Sequence, residues 1–102
     1  MRTARVLNHG RLAGTLEETE AGFQFTYDPA YLPGGEAISL TLPTRREPYA
    51  APTLFPFFYG LLAEGSTREI QHRVLRIDED DVFGLLLATG EDTIGSVSIE
   101  AA

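Results

Sequence analysis

The chain has 102 residues, of which 43% are hydrophobic and ten are Phe or Tyr, and this predicts a single folded domain spanning residues 1–102. Eight basic and fifteen acidic residues give a net charge of −7, which disfavours direct binding to the phosphates of nucleic acids. The sequence has no cysteine for disulfides, zinc–thiolate sites or thiol catalysis, and its apolar runs are too short for a signal peptide or a membrane span, so we expect a cytoplasmic protein.

The first half of the chain has the pattern of β-strands. Residues 8–11, Asn-His-Gly-Arg, separate two apolar runs and predict a hairpin turn, because Asn and Gly tolerate the positive φ angles that such turns need. Both Phe23–Tyr27 and Ile38–Leu42 alternate apolar and polar residues with a period of two, so each is predicted to be a strand. Residues 43–52 contain three prolines and are predicted to form a crossover loop.

The second half begins with a nearly continuous apolar run, Leu54–Leu62, which predicts a short buried helix. Thr53 is the predicted N-cap of this helix, Pro56 is tolerated in its first turn, and Gly65 is the predicted stop. Residues 66–69, Ser-Thr-Arg-Glu, have the spacing of a capping box and predict the start of a second, amphipathic helix. Its apolar stripe consists of Ile70, Val74 and Leu75.

A third helix is predicted to be capped by Asp78 and to end at Gly90. It is followed by a closing strand over Ile94–Ile99. Strands followed by helices and a final strand predict an α+β fold, with a small antiparallel, partly closed β-sheet or barrel packed by about three short helices.

The residues that could carry chemistry have simpler interpretations. The acidic run Asp78–Asp81 lacks the later ligands of a calcium loop and is interpreted as a solvated helix N-terminus. We interpret His9 and His72 as surface residues without a role, and Ser66 as a helix cap. The sequence therefore predicts no catalytic, cofactor-binding or metal-binding residues, and a protein that is not an enzyme.

The most unusual feature is an aromatic block formed by Phe55, Phe57, Phe58 and Tyr59. Core packing is the first interpretation of this block, and partial exposure as a docking surface is the second. A helix this apolar has to be buried on nearly all sides, and a small barrel is not expected to bury all of it. The block therefore favours a partner protein.

Two segments, Phe57–Gly65 and Asp81–Val97, resemble the N-terminal subdomain of HipA-type toxin kinases. Residues 14–16, 25–27 and 39–43, the last leading to Pro48-Tyr49, look like the opening strands of that family. In HipA-type kinases a catalytic core follows this subdomain, whereas the present sequence ends at Ala102 before such a core. The chain is therefore similar to HipS, the small stand-alone component of three-part HipBST systems.

The resemblance implies a non-enzymatic antitoxin subunit that binds and inhibits a separately encoded HipT-like serine/threonine kinase, with a HipB-like helix-turn-helix protein as a candidate third member of the complex. Stand-alone members commonly carry Trp where this chain has Ser66, and Pro where it has Ala63, so Arg68 or the Phe-rich helix would have to supply the anchor. The expected partner-binding residues are Glu64, Gly65, Ser66, Thr67 and Arg68, supported by Phe57 and Tyr59.

Two other functions stay open at this point. The chain could be a structural subunit that completes a split HipA-like kinase and supports its activity, or it could be a domain that binds a small molecule. The sequence does not separate inhibition from activation.

Overall fold

The computed structural model describes residues 1–93 and 95–102, which form five β-strands, three α-helices and one 3-10 helix. The strands are β1 (Thr3–Asn8), β2 (Arg11–Thr19), β3 (Gly22–Tyr27), β4 (Tyr49–Ala51) and β5 (Val97–Ala101). The helices are α1 (Pro56–Tyr59), α2 (Gly65–Leu75) and α3 (Val82–Thr89), and the 3-10 helix is Gly90–Asp92. Within the described residues, every helix is too short to cross a membrane.

The strands form one antiparallel sheet in the order β4-β3-β2-β1-β5. The predicted hairpin is confirmed: β1 and β2 are joined at His9 and Gly10, whose φ angles of 52° and 77° are those of a two-residue turn of type I′. The α+β class and the antiparallel sheet are also confirmed. The described part of the sheet is open, with β4 and β5 as its edges, rather than closed into a barrel.

The core lies between one face of the sheet and the helices. Val6, Leu16, Phe25 and Ile99 point from the strands into this core and are fully buried. The helices contribute a second set of residues that are at most 1% exposed: Phe58, Phe83, Leu85 and Leu86. The Phe25 and Phe58 ring centroids are 5.5 Å apart, and Phe23 meets Phe83 edge to face at 5.4 Å, so aromatic contacts join sheet and helices.

The predicted strand at Ile38–Leu42 is wrong. Ile38 and Leu42 are buried, but Leu40 is 100% exposed and the backbone turns, leaving a single bridge between Ser39 and Leu42. The Tyr27 hydroxyl replaces a neighbouring strand, since it accepts a hydrogen bond from the Ile38 amide at 3.0 Å and donates one to the Leu42 carbonyl. Burial raises the pKa of this hydroxyl, so it keeps its proton.

The predicted bounds of the first helix are also wrong. The helix α1 has only four residues, with Phe55 at the N-cap position and Pro56 as its first residue, so Thr53 is not its cap. Gly65 begins α2 rather than ending α1, and its φ of +59° lies in the left-handed region that favours glycine. This start also overturns the capping box, because Ser66 lies inside the first turn and α2 has no side-chain cap.

The third helix is capped by Asp81 and not by Asp78. The Asp81 carboxylate accepts a hydrogen bond from the Gly84 amide at 3.0 Å, while the Asp78 carbonyl accepts one from the Asp81 amide and forms the preceding turn. Gly90 follows the helix, as predicted. The closing strand runs from Val97 to Ala101, and Ile94, where the sequence placed its start, lies outside the described residues.

Candidate partner-binding surface

A tight turn over Gly60–Glu64 joins α1 to α2. The amides of Leu61 and Leu62 donate hydrogen bonds of 3.1 Å to the carbonyls of Phe58 and Tyr59, continuing α1 as a loose turn. Leu62 is buried and anchors the turn to the core. The turn brings the end of α1 close to the start of α2, and the predicted partner-binding residues lie on both sides of it.

Two of those residues, Tyr59 and Arg68, are in direct contact. The Arg68 Nη1 donates a hydrogen bond of 2.6 Å to the Tyr59 hydroxyl, and its guanidinium carbon lies 5.1 Å from the Tyr59 ring centroid. Tyr59 is 44% exposed and Arg68 is half-buried. Together with the exposed residues at the start of α2 they form what we call the junction surface, defined as Tyr59, Glu64, Gly65, Ser66, Thr67 and Arg68.

Phe57 is the remaining predicted contact residue and packs against the core. It is half-buried, and its ring packs edge to face on Phe58 at 5.2 Å. Phe55 is 8% exposed and Phe58 is fully buried, so three of the four aromatic residues in the block belong to the core or its margin. The Tyr59 side chain is the most exposed of the four, and Phe57 is partly exposed.

Beside the junction surface lies a groove, which we call the α2 groove, with a volume of about 590 Å³. It runs between the α1–α2 turn, α2 and the end of α3. The predicted apolar stripe of α2 forms one side of it, and the stripe faces outward: Ile70, Val74 and Leu75 are 54%, 71% and 45% exposed. The lining residues are Gly60, Leu61, Leu62, Ala63, Ile70, Gln71, Val74, Leu75, Ala88, Thr89, Asp92 and Thr93.

Sequence reasoning identified the stripe but missed the polar residues that line the groove together with it. Gln71 comes from α2, whereas Thr89, Asp92 and Thr93 come from the end of α3 and the residues after it. These positions are about 20 residues apart in the chain, and their types carry no motif. No signal in the sequence could have brought them together.

The two histidines differ in environment. His9 is exposed in the hairpin turn, as predicted, whereas the prediction of a surface position for His72 is wrong, because that side chain is only 6% exposed. Its Nδ1 lies 3.1 Å from the Ile77 carbonyl oxygen, and the Ile77 amide donates to the His72 carbonyl. His72 therefore fixes the reversal after α2, where Arg76 adopts a left-handed φ of 56°.

An ion-pair network lies at the opposite end of α3 from the groove. Arg2 donates hydrogen bonds of 2.7 to 2.8 Å to the carboxylates of Glu18 and Asp81, and its guanidinium lies 5.4 Å from the Phe83 ring centroid. These hydrogen bonds hold the pKa of both carboxyl groups below the usual range, and burial opposes them only partly. The network ties β1 and β2 to the N-terminus of α3.

The described residues, 1–93 and 95–102, contain no cluster of three His, Asp or Glu side chains arranged to hold a metal ion. The side chains with perturbed pKa values, Arg2, Glu18, Asp81 and Tyr27, are each explained by structural hydrogen bonds or by burial. What the junction surface and the α2 groove offer is exposed apolar area and hydrogen-bonding groups. Those are the features of a surface that binds another macromolecule.

Comparison with known proteins gives a consistent result. The model of the HipA N-terminal domain family matches residues 4–100. Among solved structures, the N-terminal domain of HipA toxin superposes with a TM-score of 0.80 at 36% identity, covering 100% of this chain and 93% of the other. An uncharacterized protein of Haemophilus influenzae is 38% identical over 98% of this chain and 92% of its own length. The protein "Putative kinase Y4mE" of Sinorhizobium fredii is 34% identical, and the match spans 95% of this chain but 24% of that protein.

Proposed function

Since the chain belongs to the family of HipA N-terminal domains, we propose that it is a non-enzymatic antitoxin subunit that binds and inhibits a separately encoded HipT-like serine/threonine kinase. The relative in Haemophilus influenzae supports a role for this domain apart from a kinase core, because 92% of that protein is matched by the present chain. The relative named as a kinase, of which the match spans 24%, supports a kinase as the partner.

The observation that carries the proposal is the Tyr59–Arg68 pair. Tyr and Arg, together with Trp, are enriched among the residues that dominate protein–protein binding energy. The hydrogen bond between them fixes both side chains before a partner arrives, which lowers the entropy lost on binding. Among the described residues the Arg68 guanidinium makes this one hydrogen bond, so further N–H donors remain for a carboxylate, carbonyl or phosphate of the kinase.

Ser66 lies two residues before Arg68, in the exposed first turn of α2. Its hydroxyl is too small to fill a kinase pocket as a large aromatic ring would. In the proposed complex, Glu64, Gly65, Ser66 and Thr67 therefore surround the contact and exclude water, while Tyr59 and Arg68 supply the anchor.

The test is a phosphorylation assay with each HipA-family kinase of the source organism, titrated with the purified wild-type protein. We expect the kinase activity to fall as the protein is added, and we expect Arg68→Ala to raise the concentration needed for half-inhibition by about 30-fold, the equivalent of a binding hot spot of about 2 kcal/mol. Tyr59→Phe should show a smaller effect in the same direction, because it keeps the ring and removes only the hydroxyl that positions Arg68.

Arg45 provides a matched control. It also stacks on a tyrosine, with its guanidinium 3.6 Å from the Tyr49 ring centroid, but it lies outside the junction surface. Arg45→Ala should leave inhibition unchanged. If the protein activates a kinase, its role is that of a completing subunit and not of an inhibitor. If none of these kinases binds the protein, both roles are refuted.

We also propose a HipB-like helix-turn-helix protein as the third member of the complex. The net charge of −7 opposes contact with DNA by this chain itself, so any operator binding would depend on the third protein. The expected result is that the chain alone does not retard operator DNA in a gel. Retardation by the chain alone would contradict this assignment.

A further inference from the structure

One wall of the α2 groove presents hydrogen-bond acceptors. The Thr89 hydroxyl donates its hydrogen to the Leu85 carbonyl at 2.8 Å, and the Thr93 hydroxyl donates to the Val97 carbonyl. Each hydroxyl hydrogen is therefore engaged, and only oxygen lone pairs remain for a ligand. The exposed Asp92 carboxylate, which takes part in none of the ion pairs of the described residues, is also an acceptor.

Gln71 also lines the groove. Its Oε1 is buried, and none of the described residues donates a hydrogen bond to it. Because this oxygen has no exposed surface, the acceptors that a ligand can reach in the groove are those of Thr89, Asp92 and Thr93. The Thr89 and Thr93 hydroxyls therefore favour a donor, and Asp92 favours a donor with positive charge.

The other side of the groove is apolar. Ile70 and Val74 lie four residues apart on α2, one above the other on the same face of the helix, and Leu61 and Ala88 flank them. The spacing fits apolar side chains one turn apart on a facing helix. An apolar wall next to an acceptor wall is suited to the long methylene chain and cationic end of Lys or Arg.

We propose that the α2 groove binds an amphipathic helical segment of the partner kinase, in which apolar side chains one turn apart are flanked by Lys or Arg. The proposal rests on the proposed function and adds to it the location and the chemistry of the contact. A second copy of this chain fits less well, because two molecules that each carry a net charge of −7 repel one another.

The ligand chemistry can be tested without a kinase. The protein has no tryptophan, so a peptide with one Trp can be followed by its own fluorescence anisotropy. The probes are two peptides of about 18 residues, above the length of about 12–15 residues at which isolated helices are marginal. They share a Leu face on a background of strong helix formers and carry either Lys or Glu at identical flanking positions. We expect the Lys peptide to bind at least about tenfold more tightly than the Glu peptide, in line with measured effects of charge complementarity.

Single substitutions then locate the binding site. Asp92→Asn should reduce the preference for Lys over Glu, and Ile70→Ser should weaken binding of both peptides. The matched controls are Asp80→Asn and Leu40→Ser, which alter an exposed carboxylate and an exposed leucine outside the groove and should change neither measurement. All four positions are exposed, so the variants should fold, and circular dichroism melts will check this.

Equal affinity for the two peptides, or equal effects of the groove variants and their controls, would overturn the proposal. Sedimentation that shows a dimer of the wild type, lost in Ile70→Ser, would also overturn it by identifying a second copy as the occupant. A kinase that binds the wild type, Ile70→Ser and Asp92→Asn with equal affinity would overturn the groove as its docking site and leave the proposed function intact. Failure of every kinase to bind the wild type would instead refute the proposed function, while the peptide comparison would still decide the ligand chemistry.

Discussion

Two glycines in the same backbone conformation allow a strict test of how tightly α3 packs on the sheet. Gly60 has φ −66° and ψ −13°, and Gly90 has φ −69° and ψ −13°, and each follows a helix as its C-cap. Alanine can adopt this conformation without strain at either position. The two sites differ in their surroundings, since Gly60 is exposed and Gly90 is buried against β5.

A Cβ at Gly90 would lie 2.5 Å from the Ile99 Cβ and 3.1 Å from the Ile99 carbonyl oxygen, whereas a Cβ at Gly60 would find no atom closer than 3.4 Å. Overpacking of this kind typically costs about 1–3 kcal/mol. Replacing Gly by Ala at a compatible site stabilises by about 0.4–1 kcal/mol through the unfolded chain. The expected net effects are a destabilisation of about 1–2 kcal/mol for Gly90→Ala and a small stabilisation for Gly60→Ala.

Thermal and urea unfolding followed by circular dichroism measure both variants. A domain of this size should lose about 5–15 °C in melting temperature for Gly90→Ala and gain a few degrees for Gly60→Ala, since 1 kcal/mol corresponds to about 4–8 °C. Equal shifts for the two variants would refute the reasoning, because they share a conformation and differ in contact. A melting temperature of Gly90→Ala at or above that of the wild type would show that α3 and β5 are not in close contact.

Three further predictions concern stability. Phe58→Ala removes a fully buried ring and should destabilise by about 3–5 kcal/mol in urea unfolding, and a loss below about 1 kcal/mol would contradict the position of α1 in the core. Hydrogen bonds from Arg2 lower the folded-state pKa of Glu18 and Asp81. The stability that these carboxylates contribute is therefore fully present above the unfolded carboxyl pKa of about 4, and it is lost as the pH falls through the lower folded-state pKa values. The melting temperature should therefore fall less steeply with acid in Asp81→Asn than in the wild type, and parallel curves would argue against the network. His9→Asn should raise stability by up to about 1 kcal/mol, because Asn tolerates the positive φ of the hairpin turn better, and a lower melting temperature would contradict the type I′ assignment.

Sequence patterns predicted the structure correctly where residues close together in the chain determine the local backbone conformation. The hairpin follows from residues 8–11, because positive φ angles restrict which side chains fit there. The strand predicted at Phe23–Tyr27 follows from the period of its apolar residues, and so does the second helix, whose apolar stripe has helical spacing. The helix starts were less predictable, because Asp78 and Asp81 are both suitable residue types for a cap. Asp81 is the cap in the structure, and it also contacts Arg2, 79 positions away.

The strand predicted at Ile38–Leu42 failed for a related reason. Its alternation was genuine, yet a strand needs a neighbour that supplies backbone hydrogen bonds, and here the buried Tyr27 hydroxyl supplies two of them instead. In the candidate site, too, the residue types could be read from the sequence, but the contact between them could not. Arg68 and Tyr59 could be selected by residue type, whereas their contact depends on the turn at Gly60–Glu64.

The sequence alone determined the absence of thiol chemistry, the acidic charge and the α+β class, because composition and local periodicity are properties of the chain itself. The resemblance to HipA N-terminal domains came separately, from the residues of Phe57–Gly65 and Asp81–Val97. Only the tertiary structure decided which apolar residues are covered. Ile70 and Val74 have the spacing of core residues but line an open groove, whereas His72 on the same helix is buried. Periodicity defines the faces of a helix, and the packing of distant elements determines which face meets the core and which stays available to a partner.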